Sequence, residues 1–263
     1  MYDPPGYLWA ITIAGITAIP AATSFVLYGR VVRAGLGRRR AALLAGGAAA
    51  VLGGWFTASA VIAGHGWYHA RLGHGVPWLP VAAAGFLGLL LALRRIPVVA
   101  RALAAPGTVS RLELPHSFRV VEGAAFIMAL GHLPALFALP AGLGDIAAGI
   151  AAPLVALRLA QGTGRRAALW FNAFGMTDLV VALTLGALTG FQLVNVTPSG
   201  APISELPLAL IPTAAVPLLL ALHITSVAAL RRAHRAPLPA TGPRIADATP
   251  RAAAAGSPAS RAR

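Results

Sequence analysis

Long apolar runs, separated by short loops that carry arginine, constrain this chain more than any other feature. A helix needs about 20 mainly apolar residues to cross a bilayer. Of the 263 residues, 57% are hydrophobic and 11% are charged, and a soluble fold of this length could not bury so much apolar surface. The sequence therefore predicts an all-α bundle of seven transmembrane helices in one domain, residues 1–230. The predicted spans are 8–28, 41–63, 78–93, 120–139, 141–160, 167–189 and 206–230.

The positions of the arginines predict the orientation of this bundle. All 21 basic residues are arginine. Twenty of them lie in the loops after the first, third and fifth spans or after the seventh, and Arg71 alone lies on the other side. Because loops rich in basic residues stay in the cytoplasm, we expect the N-terminus outside and the C-terminus inside. An odd number of spans also requires the two termini to lie on opposite sides of the membrane, in agreement with the arginine count.

The charge pattern also indicates which partners the chain meets. The formal net charge is +14, yet the arginines lie between apolar runs and not on one amphipathic face. This distribution disfavours nucleic acid and favours the lipid bilayer and its anionic headgroups as partners. Residues 231–263 are rich in Ala, Pro and Arg without apolar periodicity, which predicts a disordered basic cytoplasmic tail.

Polar residues within the last four spans are the candidate functional residues, because ionisable groups are costly in a membrane. Estimated depths place one pair near the outer face, a second group near the inner face, and one acid midway. The outer pair is His132 and Asp145, the inner group is Arg119, Glu122, Asn172 and His223, and the midway acid is Asp178. Such a ladder is typical of a proton relay. Helix capping, a headgroup ion pair and simple packing are the alternative explanations.

Two further features bear on a ligand or metal site. Four prolines recur every five residues from Pro202 to Pro217 and predict a broken seventh helix, which suits either a pocket or a bent packing helix. In the outer loop, His65 and His69 would share one helix face and are weak metal candidates. Neighbouring glycines disfavour a helix there, and the chain has no cysteine. We therefore expect no metal and no cofactor.

Three stretches in the second half of the chain carry a family resemblance. They read FRVVEGAAFIMALGHLPALFALPAGLGD, WFNAFGMTDLV and ELPLALIPT, and cover roughly spans four to seven. These stretches resemble an uncharacterised family of bacterial multi-pass integral membrane proteins. The resemblance implies a class of protein and no activity. High Ala, Gly and Arg content without lysine is typical of a GC-rich bacterial genome, so we expect the bacterial inner membrane as the location.

These observations favour one function over two alternatives. The first is transport of a small solute or of protons through a cavity in spans four to seven. The second is a membrane-embedded enzyme or redox subunit that uses His132, Asp145, Asp178 and His223. The third is a scaffold or assembly protein without chemistry. No residue pattern designates a catalytic group, so the sequence leans away from an enzyme.

Overall fold

The structure is a computed structural model that describes residues 4–69 and 76–235. Within these ranges every regular element is helical. The bounds are α1 Gly6–Arg33, α2 Arg38–Gly64, α3 Trp78–Leu93, α4 Pro97–Ala104, α5 Thr108–Leu112, α6 Arg119–Met128, α7 Ala135–Ala160, α8 Arg165–Gly190 and α9 Val216–Arg235. Leu114–Phe118 and Ala201–Ser204 form 3-10 turns, and Ile211–Ala215 forms a π-helical turn directly before α9.

Several of these helices are long and apolar enough to cross a membrane. Among the described residues they are α1, α2, α7, α8 and the continuous segment Ile211–Arg232. A sixth crossing results if α3 and α4, which meet at a bend of 80°, form one span. The chain is therefore an all-helical protein with five to six helices able to span a membrane, against the seven predicted from sequence.

The predicted fourth and fifth spans are where the sequence analysis was wrong about helix bounds. The span 120–139 is interrupted, because α6 ends at Met128 and α7 begins only at Ala135. Gly131 adopts a left-handed φ of +96° and Pro134 is extended, so the turn falls between these residues. Pro140, which separates the predicted spans 120–139 and 141–160, lies inside α7. At ten residues, α6 is about 15 Å long, roughly half the apolar thickness of a bilayer.

The predicted seventh span, 206–230, also differs at both ends. The helical segment starts at Ile211 as a π turn, which contains Pro212, and continues as α9 to Arg235. Proline cannot donate the regular backbone hydrogen bond, and a π turn is one way a helix accommodates that loss. The first five residues of the predicted tail are thus helical. The rest of that tail, 236–263, lies outside the described residues.

The segment that ends in α9 is the centre of the bundle. In the apolar 18-residue stretch of this segment, 72% of the residues are buried. In the corresponding stretches of α1, α2, α7 and α8, the buried share is 11–44%. Helix α7 packs against α6 and α8, and Phe126, Phe137, Leu179 and Leu219 belong to the main apolar core. The helices α6 to α9 therefore enclose the space in which most of the candidate polar residues lie.

Candidate functional site

Arg119, the first residue of α6, is the centre of a buried ion-pair network. Its side chain is fully buried. The guanidinium Nε donates a hydrogen bond to Asp145 Oδ1 on α7 at 2.7 Å, and Nη2 donates to Asp178 Oδ2 on α8. Because the two carboxylates come from different helices, Arg119 joins α6, α7 and α8 through charge-assisted hydrogen bonds.

A third carboxyl group lies beside this network. Glu122 is one turn beyond Arg119 on α6 and is only 1% exposed. Its Cγ packs against α1 at Gly15, where an added Cβ would stand 3.2 Å away. Neither carboxyl oxygen of Glu122 has a hydrogen-bond partner in the described part of the chain. Three carboxyl groups thus face one guanidinium in a buried region.

A second group of polar residues is organised by Asn172 on α8. Asn172 Nδ2 donates to Glu113 Oε1 at 2.8 Å, and Asn172 Oδ1 lies 2.8 Å from His223 Nδ1 on α9. The imidazole of His116 stacks on that of His223, with ring centroids 3.9 Å apart. Glu113, His116 and His223 each offer one ligand atom within 4.8 Å of the others.

Glycines allow the two groups to meet. A Cβ added at Gly175 on α8 would overlap the His223 ring and stand 3.2 Å from Arg119 Nη1. A Cβ added at Gly144 on α7 would overlap the carboxylate of Asp178. The two groups therefore form one contiguous unit, which we call the buried polar cluster. Its members are Glu113, His116, Arg119, Glu122, Asp145, Asn172, Asp178 and His223.

The structure brings six of the seven sequence candidates into this cluster and leaves out His132. That histidine is exposed in the turn before α7, whereas Asp145 is buried ten residues beyond the start of the helix, about 15 Å along its axis. The pairing of His132 with Asp145 expected from sequence is thus wrong about the depth of the two residues. Arg119, and not His132, is the partner of Asp145. The reason is that the break between the two helices lies in the turn after Met128 and not at Pro140.

Glu113 and His116 are the cluster members that the sequence analysis missed. They lie between the predicted spans 78–93 and 120–139, in a loop that the arginine count predicts to be cytoplasmic. Their signal in the sequence is the Glu-x-x-His spacing, which places a carboxylate and an imidazole on one helical face, as in the metal sites of some helix bundles. The apolar neighbours Leu112 and Phe118 are consistent with burial of this turn.

His65 and His69, the weak metal candidates of the sequence, have separate partners in the structure. His65 Nδ1 lies 2.8 Å from the carbonyl oxygen of Val61. His69 Nε2 lies 3.2 Å from Glu205 Oε1. Within the described ranges, the grouping suited to a metal is the one formed by Glu113, His116 and His223.

A cavity of about 820 Å³ reaches the cluster from one end of the bundle. Its lining is mainly apolar and comes largely from α3, α8, the π turn and α9. Asp145 contributes a polar group to this lining. At the end where α2 and α8 terminate, the polar lining residues are Tyr68, His69, Gln192 and Ser204. The cavity thus connects that end of the bundle with the Arg119 network.

The fold and the cluster together define a protein of several apolar helices, able to span a membrane, with ionisable groups buried among them. The chain belongs to the family described as Domain of unknown function (DUF8737), which matches residues 76–231. That match includes all eight residues of the buried polar cluster, whereas α1 and α2 lie outside it. Neither curated proteins nor solved structures show a match to this chain.

Proposed function

We propose that this chain is a multi-pass membrane protein that moves protons, or a small solute linked to protons, through the cavity beside α8 and α9. The observation that carries the proposal is the contact of this cavity with Asp145, whose carboxylate Arg119 holds. Pockets for small ligands occupy about 300–1,000 Å³ and are mostly apolar with a few fixed polar groups. The cavity has this character, so its expected ligand carries substantial apolar surface and a polar group directed at Asp145.

Coupling to protons follows from the charge balance of the cluster. Arg119 faces the carboxyl groups of Glu122, Asp145 and Asp178, so two negative charges are unbalanced when all three acids are ionised. Unbalanced charge is costly in an apolar region. Protons on two of these acids therefore restore the balance, and a cationic or donor group of an arriving solute would replace one of those protons.

The proposal includes a topology. We propose that the chain crosses a bacterial inner membrane seven times, with α6 and the short helices before it acting as the fourth crossing. The N-terminus and the cavity mouth then face outside and the C-terminus faces the cytoplasm. The distribution of the arginines supports this orientation, since eighteen of the 21 lie in the proposed cytoplasmic loops and tail, and Arg71 alone lies in a loop on the other side.

Accessibility of single cysteines tests the topology and the cavity together, because the chain has no cysteine of its own. In intact cells, a membrane-impermeant thiol reagent should label Asn195→Cys beyond α8 and spare Gln161→Cys beyond α7. It should also label Leu183→Cys and Ala187→Cys, which line the cavity. The matched control is Val181→Cys, which is exposed on the opposite face of α8 and should face lipid. Labelling at Gln161 but not Asn195 would overturn the orientation, and equal labelling of Leu183 and Val181 would overturn the cavity.

Proton movement through the reconstituted chain tests the coupling. With a pH-sensitive dye inside proteoliposomes, the wild type should carry protons down an imposed pH gradient, and Asp178→Asn should abolish this flux. The amide has nearly the shape of the carboxyl group but cannot carry the proton. Asp247→Asn makes the same chemical change in the C-terminal tail and should retain the flux. No flux in the wild type would contradict proton movement without a solute, and an undiminished flux in Asp178→Asn would contradict a role of Asp178 in that movement.

A further inference from the structure

We propose that Glu113, His116 and His223 form a binding site for a divalent first-row transition metal ion. One potential ligand atom from each residue lies within 4.8 Å of the other two. All three side chains are fully buried. The residues come from the α5–α6 connection and from α9, so a bound ion would fasten the short helices before α6 to the central helix.

Buried polar atoms without partners are the second observation that points to a ligand here. Both ring nitrogens of His116, Nε2 of His223 and Oε2 of Glu113 have no hydrogen-bond partner within the described residues. Buried polar groups in folded proteins nearly always have one. A metal ion would satisfy an atom of each residue at once, which no single hydrogen bond among these side chains achieves.

The donor set determines the kind of ion. Two imidazole nitrogens and one carboxylate oxygen suit Zn²⁺ and Fe²⁺, whereas Mg²⁺ and Ca²⁺ prefer oxygen ligands alone. Three protein ligands leave at least one coordination position for water or another small ligand. Asn172 contacts both Glu113 and His223, which is the position of the outer hydrogen-bonding residues that orient metal ligands.

Binding requires a small local rearrangement. Around a tetrahedral ion with bonds of about 2.0–2.1 Å, ligand atoms stand about 3.3 Å apart. The three atoms lie within 4.8 Å of one another, so they must move closer by up to about 1.5 Å. An ion must also lie in the plane of each imidazole that binds it, so the stack of His116 on His223 has to open. His116 belongs to a 3-10 turn of five residues, which can tilt more readily than the central helix α9.

The charge of the surroundings is compatible with a cation. Arg119 is the positive group closest to His223 in the cluster, and it already binds two carboxylates, those of Asp145 and Asp178. Glu113 and Glu122 add two further acids to the same buried region. A divalent ion would therefore offset negative charge that Arg119 alone does not balance. This inference goes beyond the proposed function, and neither depends on the other.

Metal binding by the full-length chain in detergent tests the inference. After removal of metal with a chelator, the wild type should take up about one Co²⁺ per chain with visible ligand-field absorption, and Zn²⁺ should displace it. Replacing an outer residue of a metal site weakens binding about 10–100-fold, so Glu113→Gln and His116→Ala, which remove ligands, should lose at least that much affinity. The double variant His65→Ala/His69→Ala is the matched control and should bind like the wild type.

Thermal unfolding of the wild type and of the control variant tests metal binding even if a variant that lacks a ligand does not fold. Binding to the folded state alone raises stability, so Zn²⁺ should raise the unfolding temperature of the metal-free wild type and of the His65/His69 double variant. The inference is overturned if the wild type shows neither stoichiometric metal nor this rise. It is also overturned if folded Glu113→Gln and His116→Ala bind Co²⁺ as tightly as the wild type, or if the double variant loses the ion.

Discussion

Replacing Arg119 with methionine should lower the free energy of unfolding by about 3–5 kcal/mol, the usual cost of removing one partner of a buried ion pair. Methionine keeps much of the length of the side chain but has no charge and no donor. Asp145 and Asp178 would each lose the hydrogen bond that Arg119 donates. The charge of Asp145 would remain buried and that of Asp178 half-buried. Unfolding of the purified chain by a denaturing detergent measures the loss.

Two comparisons separate the ion pairs from a general effect of losing an arginine. Arg111→Met makes the same change at an exposed position on α5, and surface substitutions of this kind usually stay within about 0.5 kcal/mol. The triple variant Arg119→Met/Asp145→Asn/Asp178→Asn removes the stranded charges and should regain part of the stability lost in Arg119→Met. If Arg119→Met were as stable as Arg111→Met, the network would not hold α6, α7 and α8 together.

The sequence predicts the straight helices of this fold well and the broken ones poorly. The third predicted span, 78–93, has the bounds of α3, because its apolar run ends directly at arginines. The fourth predicted span is wrong because hydropathy is averaged over many residues and hides a short turn. Leu130 and Leu133 keep the average apolar, although Gly131 and Pro134 have backbone conformations that do not continue a helix. Hydropathy carries no information on whether a glycine adopts a left-handed conformation. The break was therefore predicted at Pro140, which the structure places inside α7.

For the candidate site, the sequence identifies many of the residues but not their contacts. The free-energy cost of placing a carboxylate within a membrane identifies Asp178 and Asp145 as candidates. In the structure both carboxylates form ion pairs with Arg119. From sequence, Arg119 was a candidate for a headgroup ion pair with Glu122, since the two are three residues apart. The actual partners come from α7 and α8, and their approach depends on helix rotation and on glycine contacts, which residue spacing along the chain does not specify.

One of these glycine contacts, at Gly123, sets the distance between α6 and α7. A Cβ added at this position would lie 2.5 Å from the carbonyl oxygen of Gly142 and 2.9 Å from the Cβ of Asp145. Because the first of these atoms is backbone, the helices themselves must separate to admit a methyl group. Asp145 lies at the same contact, so its hydrogen bond with Arg119 would be disturbed as well.

We therefore expect Gly123→Ala to destabilise the chain by about 1–3 kcal/mol, the range for an extra methylene in a packed interior, and to reduce the proton flux of proteoliposomes. The matched control is Gly53→Ala on α2, where nothing lies within 4 Å of the added Cβ. This change should be neutral or stabilising by up to about 1 kcal/mol, because alanine is the better helix former. Denaturing-detergent unfolding of both variants makes the comparison. Equal stability of the two variants would mean that α6 and α7 do not meet at Gly123 as the structure describes.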